Sequence, residues 1–174
     1  MWKYSYREPL EDISVESIAQ FIKDEEDGNL IVNFKSQLLP ENNDGNLKIL
    51  VGQNWQEIVL DLEKDVFVLY YAPWCGHCVK VGPIWEELAD KVAHIDDLTI
   101  AKFDITTNEI RNLKLKGYPT IKFYPMQEKD SVTYRSYREL DDLIQFLEEN
   151  SKAYQNFKIN NNDQKTESIK TDEL

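Results

Sequence analysis

The chain contains two cysteines, Cys75 and Cys78, which are separated by Gly76 and His77 and preceded by an apolar run over residues 66–73. A thiol pair at this spacing can carry out thiol–disulfide exchange, in which one thiolate attacks a disulfide and the second thiol resolves the mixed disulfide. A helix predicted from Cys75 onward would place unpaired backbone amides and the positive end of its dipole beside the first sulfur. We therefore expect a reactive thiolate at Cys75 and a more buried thiol of higher pKa at Cys78.

His77 lies between the two cysteines, where a partly charged imidazole would further stabilise the Cys75 thiolate. Stabilising the reduced form makes such a pair a stronger oxidant. A structural zinc site is the alternative for any C-x-x-C pair, but it needs four ligands, usually in two pairs. The other histidine, His94, stands alone at a predicted helix end and is interpreted as a surface residue. The sequence favours redox chemistry, with no metal and no organic cofactor.

Alternating strands and helices surround the cysteines. The strands are short apolar or alternating runs bounded by turn-forming residues. They are predicted at residues 47–51, 66–71, 98–103, 120–124 and 132–134. The helices follow capping signals or apolar residues at helical spacing. They are predicted at residues 54–62, 75–93, 106–117 and from about 136 to 150. This order predicts an α/β fold with a mixed sheet.

Four of these helices carry specific expectations. The patterns Asn54-x-x-Glu57, Thr106-x-x-Glu109 and Ser136-x-x-Glu139 resemble capping boxes at the starts of three helices. In the helix that begins at the cysteines, Pro83 is expected to bend or interrupt the chain, because proline lacks the N–H and clashes with the preceding turn.

The two ends of the chain have a different character. A helix is predicted over residues 14–27, with Ser14 as its N-cap, and the turn-rich residues 38–45 read as a linker. Residues 151–174 are polar and are expected to form a helix remnant that frays into disorder. The predicted organisation is an appendage at residues 1–45, one domain at residues 46–150 and a tail at residues 151–174.

The charge balance excludes two classes of protein. The chain has 174 residues, with 20 basic and 32 acidic side chains and a formal charge of −12. This balance is the opposite of the basic footprint expected of a nucleic-acid-binding protein. The longest apolar run, over residues 66–73, is far shorter than the roughly 20 residues that span a bilayer. We therefore expect neither nucleic-acid binding nor membrane insertion.

Residues 71–78, Tyr-Ala-Pro-Trp-Cys-Gly-His-Cys, resemble the active site of the protein disulfide isomerase family, whose members have the thioredoxin fold. The resemblance continues through further segments of the same domain. These are a strand and helix start at residues 51–55, a kinked helix at 83–89, a strand at 101–104 and a loop at 117–120. It covers residues 46–150 almost continuously and implies a thioredoxin fold with a central mixed β-sheet flanked by helices.

The resemblance also implies roles for residues of the site. Cys75 is expected to be the nucleophile and Cys78 the resolving thiol, with His77 tuning the thiolate. Arg138, at the start of the last domain helix, matches a family arginine proposed to swing inward and lower the pKa of the second cysteine. The alternative for Arg138 is a solvated residue at a helix start.

A substrate groove is implied next to the cysteines. The loop that contains Tyr118 and Pro119 resembles the family loop whose proline is cis and faces the cysteines. It would present the Tyr118 backbone to an extended substrate, and Trp74 and Gly76 are expected to complete the groove.

One position departs from the family pattern. Family domains usually carry a buried glutamate two residues before the Tyr-Ala-Pro segment, paired with a lysine on the next strand and thought to relay a proton to the resolving cysteine. Here Leu69 occupies the glutamate position, and Lys102 occupies the lysine position without that partner. The departure predicts slower resolution by Cys78, whereas the alternative interpretation of Leu69 is simply a better-packed strand.

Both ends also resemble this family. Residues 34–41 resemble the connector to the last catalytic domain, so the helix over residues 14–27 would be a loosely attached remnant of an upstream, non-catalytic domain. The C-terminal residues Thr171, Asp172, Glu173 and Leu174 resemble the K-D-E-L retention signal, which receptors read in the secretory pathway. With no signal peptide at the N-terminus, we expect a piece of a longer protein of the endoplasmic reticulum lumen.

The sequence therefore predicts a thiol–disulfide oxidoreductase and isomerase of unfolded or misfolded secretory proteins. Glutathione or a partner oxidase would reset its redox state, and a retention-signal receptor would bind its tail. Two alternatives remain. One is a thioredoxin-like reductant, although that class favours Gly-Pro between the cysteines. The other is a lumenal substrate-binding or chaperone fragment that holds unfolded chains with little turnover.

Overall fold

The computed structural model describes residues 13–27, 35–111 and 113–171. The chain divides into two compact units, residues 1–35 and residues 36–174. The first contains helix α1 (Val15–Glu26), which confirms the helix predicted there. Its N-cap is also as predicted, because the Ser17 amide donates to Ser14 Oγ at 3.0 Å.

The second unit is an α/β structure built on one five-stranded sheet. Its elements are β1 (Leu47–Leu50), α2 (Trp55–Val59), β2 (Asp65–Tyr71), α3 (Gly76–Val92), β3 (Leu98–Asp104), β4 (Thr120–Tyr124), β5 (Val132–Tyr134), α4 (Leu140–Asn150) and α5 (Lys152–Thr171). The strand order is β1-β3-β2-β4-β5, with parallel pairing among β1, β3 and β2 and antiparallel pairing of β4 with its neighbours. The predicted mixed sheet is confirmed.

Strand β2 is the centre of the core, as its continuous apolar sequence predicts. Every β2 residue from Asp65 to Tyr70 is buried. Phe67 and Leu69 face a cluster with α3 and α4, whereas Val66, Val68 and Tyr70 face a second cluster with α2. Because β2 leads directly into the cysteines, this two-sided burial holds the start of α3 in place.

The helix predicted at residues 106–117 is wrong. Of residues 105–111 and 113–119, none is helical. The N–H and hydroxyl of Thr106 both donate to Asp104 Oδ1, at 2.8 and 2.6 Å, which makes a side-chain turn in place of a helix start.

Two other capping boxes are also wrong, although their helices form. Asn54 makes no capping bond to α2, because its side chain accepts from the Val51 amide at 2.7 Å and donates to the Ile49 oxygen at 3.1 Å. Helix α4 begins only at Leu140, with Glu139 in extended backbone as its N-cap. Pro83 does not interrupt α3, which runs unbroken from Gly76 to Val92.

Residues 36–46 are attached to the domain by amide side chains. Buried Asn108 accepts from the amides of Gln37 at 2.9 Å and Gly52 at 3.1 Å. At the edge of the sheet, Asn43 accepts from the Ile49 amide at 2.7 Å and donates to the Ile49 oxygen at 3.1 Å. The connector predicted as a linker is therefore fixed to the second unit from residue 36 onward.

Helix α5 is longer than its polar composition predicts, since it continues to Thr171. Its first turns pack against the domain through buried Ala153 and partly buried Tyr154 and Phe157. The Asp65 carboxylate fastens this junction, because Oδ2 accepts from Ser151 Oγ at 2.8 Å and from the Ala153 amide at 2.9 Å.

His94 is exposed, as predicted, but its ring contacts Phe157 of α5 with 4.5 Å between ring centres.

No helix among the described residues is long and apolar enough to cross a membrane.

Candidate functional site

The cysteine pair lies where β2 passes into α3. Cys75 is the N-cap of α3, with φ −82° and ψ 115°, and Cys78 lies one turn into the helix. The Cys75 amide donates to the Ala72 oxygen at 3.1 Å, and the Val79 amide donates to the Cys75 oxygen at 3.0 Å. Both cysteines are free thiols; Cys75 is half-buried and Cys78 is 4% exposed. This is the difference in burial that the sequence predicts.

The surroundings of Cys75 favour its thiolate. Its pKa is lowered first by a hydrogen bond from the Cys78 thiol, and next by the backbone amide of Cys78. Slight desolvation opposes these effects, while the His77 amide and the charge of Arg138 add to them. The open amides at the helix start therefore act on the first sulfur as predicted.

Cys78 has the opposite character. Burial raises the pKa of its thiol, and the hydrogen bond to Cys75 and the charge of Cys75 raise it further. A backbone hydrogen bond with Ala72 and the charge of Arg138 act in the other direction. The pair thus combines an accessible sulfur that favours the anion with a buried sulfur that keeps its proton.

His77 and Arg138 are both exposed. His77 acts on Cys75 through its backbone amide, so the predicted role of its imidazole stays a prediction. Arg138 lies near enough to lower the pKa of both cysteines, and not of the second alone.

The residues of the implied groove come together beside Cys75. The Tyr118–Pro119 peptide bond is cis, as the resemblance implies. The Cys75 thiol donates to the Tyr118 oxygen, with 3.8 Å between Sγ and O. The rings of Trp74 and Tyr118 meet edge to face at 5.1 Å, and Trp74 is 69% exposed. At Gly76 a Cβ would meet nothing within 4 Å, so an open space lies next to the first cysteine.

Lys102 is paired, although not with the residue that the family pattern suggests. Leu69 and Lys102 are neighbours in register on β2 and β3. The Lys102 ammonium lies 3.2 Å from Glu86 Oε1, and the Glu86 side chain is 60% exposed. Glu86 was not singled out from the sequence, because no local pattern shows that this face of α3 lies over β3.

The retention signal lies almost wholly outside the described residues. Thr171 ends α5, and residues 172–174 are not described. Among the described residues, no group of three or more His, Cys, Asp or Glu side chains is arranged to hold a metal ion.

Comparison with known proteins gives consistent similarities. Residues 46–149 match the family model for thioredoxin. The chain is 38% identical to the protein disulfide-isomerase of Drosophila melanogaster over 170 residues, covering 97% of this chain and 34% of the fly protein. It is 47% identical to the protein disulfide-isomerase of Saccharomyces cerevisiae over 143 residues, covering 81% of this chain and 27% of the yeast protein.

A solved structure supports the same fold. The solution structure of the first thioredoxin domain of mouse protein disulfide-isomerase A4 matches with a TM-score of 0.53 and 29% identity, covering 64% of this chain and 79% of that one. The chain spans between about a quarter and a third of the length of the curated relatives named above. The predicted thioredoxin fold is confirmed, and the chain belongs to the thioredoxin family.

Proposed function

We propose that this chain is a thiol–disulfide oxidoreductase and isomerase that forms, reduces and rearranges disulfides in other proteins. One observation carries the proposal: Cys75 is accessible and its pKa is lowered, whereas Cys78 is buried and its pKa is raised. Exchange needs an attacking thiolate and a second thiol that reacts later, and the two environments supply these in that order.

In the reducing direction, the Cys75 thiolate attacks one sulfur of a substrate disulfide. The substrate S–S bond breaks, its electron pair leaves on the other sulfur, and a mixed disulfide joins Cys75 to the substrate. Cys78 then loses its proton and attacks Cys75, which releases the substrate as a second thiolate. The substrate disulfide has been reduced to two thiols, and the cysteine pair has been oxidised to a disulfide.

The reverse sequence oxidises a substrate dithiol, and rearrangement follows when the mixed disulfide is attacked by another substrate thiol. In each case Cys75 is the sulfur that contacts substrate. Glutathione or a partner oxidase would supply or remove the electrons between cycles. The exposed Trp74, with Tyr118 behind it, gives an apolar surface for an unfolded chain next to the reacting sulfur.

The substrate class and compartment rest on the relatives and on the tail. The similar proteins are protein disulfide-isomerases, which supports unfolded or misfolded secretory proteins as substrates. The C-terminal residues 171–174 support retention in the endoplasmic reticulum lumen by a receptor. A mobile Arg138 and the His77 imidazole are proposed to tune the pair.

Trapping the mixed disulfide tests the order of attack. The reduced C78S variant should accumulate a covalent adduct with a disulfide-containing peptide, because Cys75 attacks and nothing resolves the product. The C75S variant should form little adduct, since the remaining thiol is buried. Equal adduct formation by the two variants, measured by mass spectrometry, would contradict the assignment.

Two measurements distinguish this proposal from the alternatives. Titration against glutathione should give a reduction potential of about −180 mV, whereas a value of about −270 mV would indicate a thioredoxin-like reductant. A fragment that only binds unfolded chains would protect them from aggregation without oxidising a dithiol peptide. Activity in both peptide oxidation and refolding of a scrambled multi-disulfide protein would exclude that alternative.

A further inference from the structure

A cavity of about 150 Å³ lies beside the buried thiol of Cys78, between the end of β2 and the first turns of α3. Apolar groups form most of its lining, including Leu69, and it opens to solvent on one side. Since one water takes up about 30 Å³, the cavity can admit water next to the thiol. Cys78 therefore has a route for its proton even though it is 4% exposed.

Lys102 also lines this cavity, and it brings a positive charge to a mainly apolar lining. Its ammonium forms an ion pair with the Glu86 carboxylate, with 3.2 Å between Nζ and Oε1. Within the described part of the chain, the positive charge that lowers the pKa of the Cys78 thiol is that of Arg138. Glu86 is 60% exposed and the Lys102 side chain 28%. An exposed ion pair of this kind contributes little to stability, so the flexible lysine can leave it at low cost.

We propose that Glu86 holds Lys102 away from Cys78 while Cys78 is a thiol, and that Lys102 turns into the cavity when Cys78 becomes a thiolate. Glu86 and Lys102 are then positioning residues that set how fast Cys78 resolves the mixed disulfide. The inference rests on the proposed function, because it concerns the second step of the same exchange.

With Cys75 joined to the substrate, the Cys78 thiol gives its proton to water in the cavity, and the Lys102 ammonium stabilises the anion that remains. Cys78 Sγ attacks Cys75 Sγ, the bond from Cys75 to the substrate breaks, and the electron pair leaves on the substrate sulfur, which takes a proton from solvent. Lys102 returns to Glu86, since the new disulfide carries no charge.

The E86Q variant tests this arrangement, with E87Q as the matched control. Glu87 is the next residue on α3 and is also exposed, so both changes remove one negative charge from the same helix. The reduced protein is mixed with a peptide disulfide and quenched with acid at increasing times, and the mixed disulfide is counted by mass spectrometry. E86Q should shorten its lifetime about threefold, which corresponds to about half a pKa unit at Cys78, while E87Q leaves it unchanged.

A direct readout is the pH at which Cys78 ionises. In a C75S background Cys78 is the one remaining thiol, so the rate of its alkylation against pH follows its ionisation. Arg138, Tyr71 and Lys102 are the charged or titratable groups that act on it or line its cavity. Adding E86Q should lower the midpoint, and adding K102M as well should cancel that change. Thermal melting checks that each variant is folded.

Three outcomes would overturn the inference. The mixed disulfide could live equally long in E86Q and E87Q, the pH midpoint of Cys78 ionisation could stay unchanged in E86Q, or the lowered midpoint could persist when K102M is added to E86Q. In all three the native chain still forms and resolves the mixed disulfide. If the native chain forms no mixed disulfide at all, the proposed function fails instead, so the two failures are distinguishable.

Discussion

The Cys75 thiol donates a hydrogen bond to the backbone oxygen of Tyr118, with 3.8 Å between Sγ and O. A carbonyl oxygen accepts a hydrogen bond from a thiol, but it has no proton to donate to a thiolate. Stabilisation of the anion must therefore come from the opposite side, where Cys78 and the first amides of α3 face the sulfur. The two sides of Cys75 thus differ: the Tyr118 side belongs to the proposed substrate groove, and the helix side stabilises the negative charge of the thiolate.

The first prediction concerns the hydrogen bond from Cys78. Because the thiol of Cys78 is the largest cause that lowers the pKa of Cys75, the C78A variant should raise that pKa by removing the donor. The C78S variant retains an O–H donor of similar size and should raise it less. The measurement is the rate of Cys75 alkylation against pH, which follows the thiolate fraction. It falls as the pH drops through the pKa of Cys75, so the C78A profile should lie at higher pH. Coincident profiles for the two variants would contradict the prediction.

A second prediction concerns Arg138. Its charge lowers the pKa of both cysteines, so R138Q should shift both ionisations to higher pH and slow alkylation of Cys75 at neutral pH. R135Q is the matched control, since Arg135 is also exposed and lies three residues earlier without acting on either thiol. Salt should weaken the R138Q effect, because an exposed charge is screened. If R135Q and R138Q shift the ionisations equally, the effect is one of net charge alone.

The third prediction tests the departure at Leu69. A carboxylate introduced by L69E would lie beside Lys102 in register and would border the cavity next to Cys78. It should take the proton of Cys78 and shorten the lifetime of the mixed disulfide. L69Q is the control for size and polarity, and both variants should lose about 1–3 kcal/mol of stability because Leu69 is buried. An unchanged lifetime in L69E, with the protein folded, would mean that leucine does not slow resolution.

A fourth prediction concerns the connector. Removing the Asn108 side chain in N108A leaves the amides of Gln37 and Gly52 without their acceptor. This should cost about 1–3 kcal/mol and release residues 36–37 from the domain. Amide exchange at Gln37 should speed up strongly while that of β2 changes little. N42A is the control, since Asn42 makes an exposed bond to nearby Asp44. Slow exchange at Gln37 in N108A would show that other contacts hold the connector.

Local sequence patterns were sufficient to predict features that depend on a single strand or helix. The apolar run of β2 predicts burial on both faces, and the position of Cys75 after it predicts a sulfur at a helix start. The stripe of Leu143 and Leu147 predicts the buried face of α4. Each of these depends on periodicity within a few residues.

Other features depend on residues distant in sequence and could not be predicted in this way. The segment after β3 is not a helix because Asp104 binds Thr106, and because Asn108 binds the connector 71 residues away. No local pattern marks Asp65, yet its carboxylate accepts hydrogen bonds from residues 86 and 88 positions away, at the start of α5. The pairing of Glu86 with Lys102 likewise requires α3 to lie over β3.

The pairing of Asn43 with both backbone groups of Ile49 bears on the proposed action on unfolded chains. Strand β1 lies at one border of the sheet, and an unoccupied N–H and C=O there would let an extended client add itself as a further strand. The Asn43 side chain instead bonds both of these groups of Ile49, as one residue of a neighbouring strand would. Under the proposed function, this closure removes one place where an extended client could pair with the sheet at an edge separated by β3 from the strand that leads into the cysteines.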